Sequence, residues 1–268
     1  MRTFGIIGKS LVHSASKEFF TRKFKENQIY DAEYKLFPLA SIEEVKPLLN
    51  HPQLFGFNVT SPYKTEIIPY LDELDTVAKE VGAVNCAVKE NSKWKGYNTD
   101  VIGFEEMLLK AEEQKSRKEK GERRKEKGEN SYGLTLLRSY GLVLVLGSGG
   151  AAKAVCYVLR KRDIPYKVVS RKKTEETITY DEITESIIHH SSFIINTTPL
   201  GMFPNTEALP PISYQSIGSH YILMDLIYNP EETLFLKEGK KRGAFTMNGF
   251  TMFQTQAEAT FWKFKDLQ

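Results

Sequence analysis

The stretch Leu142-Val-Leu-Val-Leu146, followed by Gly147-Ser148-Gly149-Gly150-Ala151-Ala-Lys-Ala, constrains this chain more than any other segment. Five consecutive apolar residues, two of them β-branched, read as a strand buried on both faces. A glycine turn follows, then an alanine-rich segment suited to a helix. Strand, glycine turn and helix, in that order, are how doubly wound α/β folds set backbone N–H groups and a helix N-terminus against a pyrophosphate. The motif sits mid-chain, with about half of the 268 residues before it. A separate unit is therefore expected to precede it and to carry whatever a bound nucleotide reacts with.

That length accommodates two modest domains, each with its own core. Cys86 and Cys156 follow no metal or redox spacing, and the five histidines form no HxxxH-like pair, so no metal site is expected. The apolar run Phe4–Ile7 is too short for a signal peptide, and no run reaches the length of a membrane span, so a cytoplasmic protein is expected. The net charge of +3 is local in origin. Residues 110–130 carry nine Lys/Arg and six Asp/Glu; taking these from totals of 37 and 34 leaves 28 of each. The neutral remainder argues against a nucleic-acid partner. The segment holds a tandem repeat, Arg117-Lys-Glu-Lys-Gly-Glu-Arg123 and Arg124-Lys-Glu-Lys-Gly-Glu-Asn130, without an apolar seam. It reads as a solvated helix extension or a disordered loop, not a coiled coil.

Before the insert, strands are expected at 3–7, 32–37, 56–59, 83–88 and 94–97. Helices are expected at 16–27, from Ser41 by a capping box with Glu44, and at 71–80. The last two strands would form a hairpin across Asn91-Ser92. After the insert, strands at 142–146, 166–170, 193–196, 221–226 and 244–247 alternate with helices at 150–162, 231–240 and 250–265. The last helix carries Phe253, Ala257, Phe261 and Phe264 on one stripe and is expected to pack back on the first domain. The fold class is therefore α/β with two domains. Residues 1–104 plus 248–268 form a substrate-binding domain, 105–140 a charged linker, and 141–247 a Rossmann-like doubly wound nucleotide domain.

The strand at 166–170 ends in Ser170-Arg171-Lys172-Lys173, about twenty residues past the glycines. An NAD-specific site would place a carboxylate there. A hydroxyl with cations suits a 2′-phosphate instead, which points to NADP(H). A solvated basic turn is the plain alternative. Two later strand exits, Asn196-Thr197-Thr-Pro-Leu-Gly201 and Asp225-Leu226-Ile-Tyr228-Asn-Pro230, would reach the same ligand edge. In the first half, Asn58-Val-Thr60-Ser-Pro62-Tyr-Lys64 and Asn98-Thr-Asp100 end polar segments. A lysine beside an aspartate could serve as a positioned proton donor and acceptor. Spacing alone leaves open whether the two meet or form an ordinary surface pair.

Taken together and in order, these motifs resemble the shikimate dehydrogenase family along nearly the whole chain outside the insert. Gly8-Lys-Ser-Leu-Val-His13-Ser14-Ala-Ser16-Lys17 is similar to that family's Gly-x-Pro-hydrophobic-x-His-Ser-x-Ser-Pro. Asn58–Lys64, Gly82-Ala-Val-Asn85-Cys86, Asn98–Asp100, the glycine turn, Asn196–Met202, Asp225–Pro230 and Gly249-x-x-Met252-x-x-x-Gln256 follow the family's pattern. The chain departs from it at Ser10 and Lys17 (for proline), at Cys86 (for threonine) and at Ser170-Arg171-Lys172 (for Asn-Arg-Thr).

The resemblance implies an NADP-linked oxidoreductase of the alcohol dehydrogenase class that interconverts 3-dehydroshikimate and shikimate. Lys64 and Asp100 would be the catalytic pair. Ser14, Ser16, Asn58, Thr60, Asn85, Tyr228 and Gln256 would hold the substrate, its carboxylate met by hydroxyl donors rather than an arginine. Gly147, Ser148, Gly149, Gly150, Ala151, Ser170, Arg171 and Lys172 would hold the NADP phosphates. Thr197, Leu226, Gly249 and Met252 would line the nicotinamide region. The partners implied are the small-molecule substrate, with no nucleic acid or membrane, and a monomer or homodimer is expected. A quinate-using relative of relaxed specificity, and a non-catalytic NADP-binding regulator, are the competing readings.

Overall fold

The computed structural model describes residues 1–12, 14–123, 141–191 and 193–266. The chain divides into two compact units. One comprises Met1–Ile102, Gly149–Ala154 and Gln254–Gln268; the other comprises Gly103–Ser148 and Val155–Phe253.

The first unit runs β1 (Arg2–Gly8), α1 (Ser16–Glu26), β2 (Ala32–Pro38), α2 (Val45–Leu49), β3 (Leu54–Val59), β4 (Glu73–Leu74), α3 (Thr76–Val81), β5 (Cys86–Glu90) and β6 (Lys93–Tyr97). It then includes the start of α4 (Asp100–Arg123) and most of the last helix, α8 (Phe250–Lys265). The six strands are ordered β2-β1-β3-β5-β6-β4. The β2-β1-β3 part is parallel, whereas β5 runs antiparallel to both β3 and β6. Asn91 and Ser92 both adopt left-handed φ, the two-residue turn whose twist matches that of a hairpin.

The expected phenylalanine faces make the core between sheet and helices. Phe4 stacks on Phe264 at 4.7 Å and lies 5.5 Å from Phe24, and Phe20 reaches Phe264 at 5.4 Å. Burying each such ring stabilises the unit by roughly 2–3 kcal/mol. Gly56 makes room for the ring of Phe264 on β3, since a Cβ there would fall 2.7 Å from it. The helix expected from Leu71 starts later. Asp75 caps it by accepting from the Ala78 N–H at 2.7 Å, and residues 73–74 instead pair with β6. At the helix expected from Ser41, the Ser41 side chain makes no cap, and the Glu44 carboxylate accepts from the N–H of Ala40, one residue before the expected cap.

The second unit holds the rest of α4, β7 (Val143–Leu146), most of α5 (Gly150–Lys161), β8 (Tyr166–Val169), β9 (Thr177–Ile178), α6 (Glu185–His189), β10 (Phe193–Asn196), β11 (Ile222–Asp225), α7 (Leu234–Lys241) and β12 (Phe245–Met247). Its sheet is parallel throughout, ordered β12-β11-β10-β7-β8-β9. Counted within the unit, that is the order 3-2-1-4-5-6 of dinucleotide-binding sheets, with its reversal between β7 and β10. Both strands at the reversal are buried at every residue, as a parallel sheet covered on two faces requires.

The stretch expected as linker behaves differently from a solvated arm at its start. Helix α4 carries Phe104, Met107, Leu108 and Ala111 fully buried, and Glu112 and Lys115 are buried too. Lys115 Nζ donates to the His220 carbonyl at 2.7 Å, and Arg162 pairs with Glu105 at 2.8 Å. An amphipathic start was hidden in the sequence by the charge run that follows it. The first copy of the tandem repeat continues the helix backbone to Arg123; the second copy and the remainder of the expected linker lie outside the described residues. Among the described residues, no helix is long and apolar enough to cross a membrane.

Candidate active site

In the first unit, two parallel strands deliver polar residues to one edge of the sheet. Strands β1 and β3 are neighbours in register, Ile7 beside Val59, so the chain leaves both at the same edge. Ser14 and Ser16 follow the first exit and Thr60 the second. Gly8 permits this crossing, because a Cβ there would come within 2.5 Å of the Thr60 methyl. The Ser16 N–H donates to Ser14 Oγ at 3.3 Å, which orders the turn into α1 without the prolines of the family pattern. His13, from the same motif, lies outside the described residues.

Lys64 and Asp100 do meet. Lys64 Nζ lies 2.5 Å from Asp100 Oδ2, and their side chains are 15% and 5% exposed, so this is a buried pair rather than a surface one. The backbone on both sides is tied down. Tyr63 is buried and donates its hydroxyl to the Leu39 carbonyl, while the Lys64 carbonyl accepts from the Val84 N–H at 2.7 Å. Asn98 bonds the Ala83 carbonyl and accepts from the Val101 N–H, setting the start of α4 where Asp100 stands. The first turn of α5 belongs to this unit as well. A Cβ on Gly150 would fall 2.6 Å from that of Lys64, and Lys153 Nζ donates to the Gly82 carbonyl at 3.0 Å.

Asn85 organises the pair. Its Oδ1 accepts from the Thr99 N–H at 2.7 Å, which fixes the orientation of the amide. Its Nδ2 then donates to Asp100 Oδ1 and Thr99 Oγ1, both at 2.9 Å, and lies 3.3 Å from Gln256 Oε1 of α8. Asn58 is buried and engaged by protein groups. Its Oδ1 accepts from Tyr34 at 2.8 Å, and its Nδ2 faces the Asn85 carbonyl and Thr260 Oγ1, each at 3.4 Å. Tyr34, Thr99 and Thr260 were not singled out from sequence. Each is an unremarkable strand, loop or helix residue until tertiary contacts join them. Burial pushes the Tyr34 phenol well above its ordinary value, so it acts as a neutral donor, with Ser16 also beside it. Cys86 is fully buried and its thiol is pushed up to about 12 by that burial, which makes it a packing group rather than a nucleophile.

In the second unit, the expected cofactor residues Gly147, Ser148 and Thr197 follow the neighbouring strands β7 and β10, where the strand order reverses. Gly147 ends β7 with φ of +110°, and a Cβ would sit 2.5 Å from Thr197 Oγ1, so only glycine fits. Thr197 Oγ1 donates to the Leu146 carbonyl at 2.7 Å, tying the two strand exits together. Ser148 and Ser170 hydroxyls lie 3.0 Å apart, bringing the glycine turn to the end of β8, where Arg171 and Lys172 are exposed. Gly249 is pressed against Leu226, with a Cβ position only 2.1 Å from the Leu226 carbonyl oxygen. Tyr228 stacks on Phe253 at 4.5 Å, and it is the one expected substrate residue carried by this unit.

Behind these exits Asp225 is fully buried and accepts from Thr233 Oγ1 (2.6 Å), the Ile227 N–H (3.0 Å) and Asn196 Nδ2 (3.1 Å). Desolvation nevertheless raises its carboxyl from 3.8 to about 6. The set fits a dinucleotide on the evidence of the backbone itself. At Gly149, the middle glycine of the turn, a Cβ would meet no protein atom within 4 Å, leaving open the space a pyrophosphate needs to approach the main chain. Among the described residues, no group of three or more His, Cys, Asp or Glu side chains is placed to hold a metal ion.

Comparison with known proteins identifies the family. Residues 6–87 match the family described as "Shikimate dehydrogenase substrate binding domain". The "Shikimate dehydrogenase (NADP(+))" of Methanococcus aeolicus is 35% identical over 278 aligned positions, covering 96% of this chain and 89% of its own. The crystal structure of shikimate dehydrogenase 1 from Peptoclostridium difficile superposes with a TM-score of 0.77 at 31% identity, over 100% of this chain and 93% of its own. A shikimate dehydrogenase solved in complex with NADP+ gives 0.76 at 30% identity, over 100% and 91%. With identity above 30% across nearly the full length of both chains, this protein belongs to the shikimate dehydrogenase family.

Proposed function

We propose that this chain is an NADP(H)-dependent shikimate dehydrogenase, catalysing the reversible reduction of 3-dehydroshikimate to shikimate on the route to chorismate and the aromatic amino acids. The observation that carries the reading is the buried Lys64–Asp100 pair, oriented by Asn85, in a chain whose other unit has the strand order and glycine turn of a dinucleotide site. A regulator that only sensed the cofactor would have no use for a buried ion pair, whose desolvation costs several kcal/mol per charge before compensation.

Ser14, Ser16 and Thr60 at the exits of β1 and β3 hold the substrate carboxylate through hydroxyl donors. Asn85 and Gln256 hold ring hydroxyls, with Asn58 behind them, and the family pattern assigns Tyr228 to the substrate as well. Geometry rather than net charge then selects the substrate. Gly147, Ser148, Gly149, Gly150 and Ala151 hold the pyrophosphate of NADP(H); Ser170, Arg171 and Lys172 hold its 2′-phosphate; Thr197, Leu226, Gly249 and Met252 line the nicotinamide. When bound, the cofactor supplies or accepts the hydride. Lys64 Nζ gives a proton to the substrate carbonyl oxygen on reduction and takes the hydroxyl proton on oxidation. Asp100 compensates the lysine charge and holds the reacting hydroxyl in line.

Steady-state kinetics with shikimate and quinate, each against NADP+ and NAD+, test the reading. The highest kcat/KM is expected for shikimate with NADP+. Turnover favouring quinate with NAD+ would replace it with the quinate reading, and no turnover with any pair would leave the regulator.

A further inference from the structure

Resting on the activity proposed above, we infer that Thr260 of α8 is a positioning residue for the Lys64–Asp100 pair, acting through Thr99 and Asn85. Thr260 is fully buried, and its hydroxyl lies 3.1 Å from Thr99 Oγ1 and 3.4 Å from Asn58 Nδ2. Thr99 Oγ1 accepts from Asn85 Nδ2, the same group that donates to Asp100 Oδ1, and Asp100 Oδ2 receives Lys64 Nζ. Thr260 is therefore linked to the ion pair by an unbroken chain of side-chain hydrogen bonds. At the other end, the chain reaches Tyr34 through Asn58.

The hydroxyl of Thr99 is the sensitive joint. Because it accepts from Asn85, its own proton must point elsewhere. Thr260 Oγ1 at 3.1 Å is nearer than Asn85 Oδ1 at 3.2 Å or Gln256 Oε1 at 3.5 Å. With Thr260 present, Thr99 and Asn58 are both held, and Asn85 keeps its amide directed at Asp100. Without that hydroxyl, Thr99 is left to turn toward Asn85 Oδ1 or Gln256 and competes with the contact that fixes the Asn85 amide. Buried chains of this kind polarise one another, so loss of one member is felt along the rest. Helical spacing supports the role. Gln256 and Thr260 are four residues apart and face the same network, while Ala257, Phe261 and Phe264 bury the adjacent stripe. The last helix thus sets the ion pair as well as the core.

Thr260→Val, which keeps the branched shape and removes the hydroxyl, is compared with Thr260→Ser, which keeps the hydroxyl, in the full-length protein. The valine variant is expected to lower kcat for shikimate oxidation by about tenfold, with KM for NADP+ within about twofold of wild type and the serine variant restoring kcat. If the valine variant does not fold, Thr260→Ala, which favours the helix, carries the same comparison. A hydroxyl-free variant whose melting temperature falls while its kcat stays at the wild-type value would overturn the inference alone. A wild-type protein with no shikimate turnover would overturn the proposed activity and the inference with it.

Discussion

Replacing Asp225 by asparagine should remove a dependence on pH from the stability of the second unit. The carboxyl is fully buried at the end of β11, and desolvation raises it from 3.8 to about 6 against the opposing pull of Thr233, the Ile227 N–H and Asn196. Such a rise corresponds to about 3 kcal/mol of stability. Because the folded state holds the proton more tightly than the unfolded chain, that stability is fully present below pH 3.8 and is lost as the pH rises through about 6. Asparagine keeps the shape and stays neutral. Relative to Asp225→Asn, the wild type should therefore lose about 2 kcal/mol between pH 4 and pH 7. Both tryptophans, Trp94 and Trp262, lie in the first unit, so the assay needs a probe within the second. Amide hydrogen exchange of β10 and β11, compared between the two proteins at each pH, reads it directly. The ratio of protection factors should move by about 30-fold over that range, in favour of the asparagine variant at high pH. A constant ratio would show that Asp225 is not shifted. Movement in the opposite sense would show that its three donors outweigh its burial.

Lys64→Ala should reduce kcat by about 10²- to 10⁴-fold while NADPH affinity, read by fluorescence titration, stays near wild type; retained turnover would remove Lys64 from proton transfer. Arg171→Ala should raise the Kd for NADP+ far more than that for NAD+, since only the former carries a 2′-phosphate, and equal losses would sink that assignment. Gly249→Ala and Gly149→Ala form a contrasting pair. The first places a Cβ 2.1 Å from a backbone carbonyl and should destabilise the protein by roughly 1–3 kcal/mol or more. The second meets no protein atom within 4 Å, so it should leave the melting temperature unchanged and weaken NADPH binding. Normal NADPH affinity in the Gly149 variant would mean that no pyrophosphate approaches the turn there.

Much of the fold was legible because it depends on short-range patterns. The apolar run at 142–146, the Asn91-Ser92 turn and the phenylalanine stripe of the last helix each declare their structure within a few residues, and each formed close to its expected bounds. Boundaries failed where a side chain intervened. Asp75 capped α3 and released residues 73–74 to pair with β6, which periodicity alone does not reveal. The start of α4 was obscured for a different reason. Its buried face of Phe104, Met107, Leu108 and Ala111 runs straight into the charged repeat, and the composition of the whole segment masks it.

The site divides along the same line. Residue types at strand exits, and the order of motifs along the chain, already pointed to Lys64, Asp100 and the glycine turn, because those positions are set by local sequence and by where a strand must end. That Lys64 and Asp100 pair in a buried setting depends on contacts between segments 36 residues apart. The part played by Thr260 depends on contacts across 161 and 202 residues. A threonine at either end of such a contact looks like any other threonine until packing removes water and leaves its hydroxyl one protein partner in place of many. The sequence by itself determined the architecture and the order of motifs that singles out the glycine turn and the candidate residues Lys64 and Asp100. The tertiary structure alone decided which neutral groups hold those side chains in place, since a buried hydrogen bond takes its partner from the fold and not from the chain.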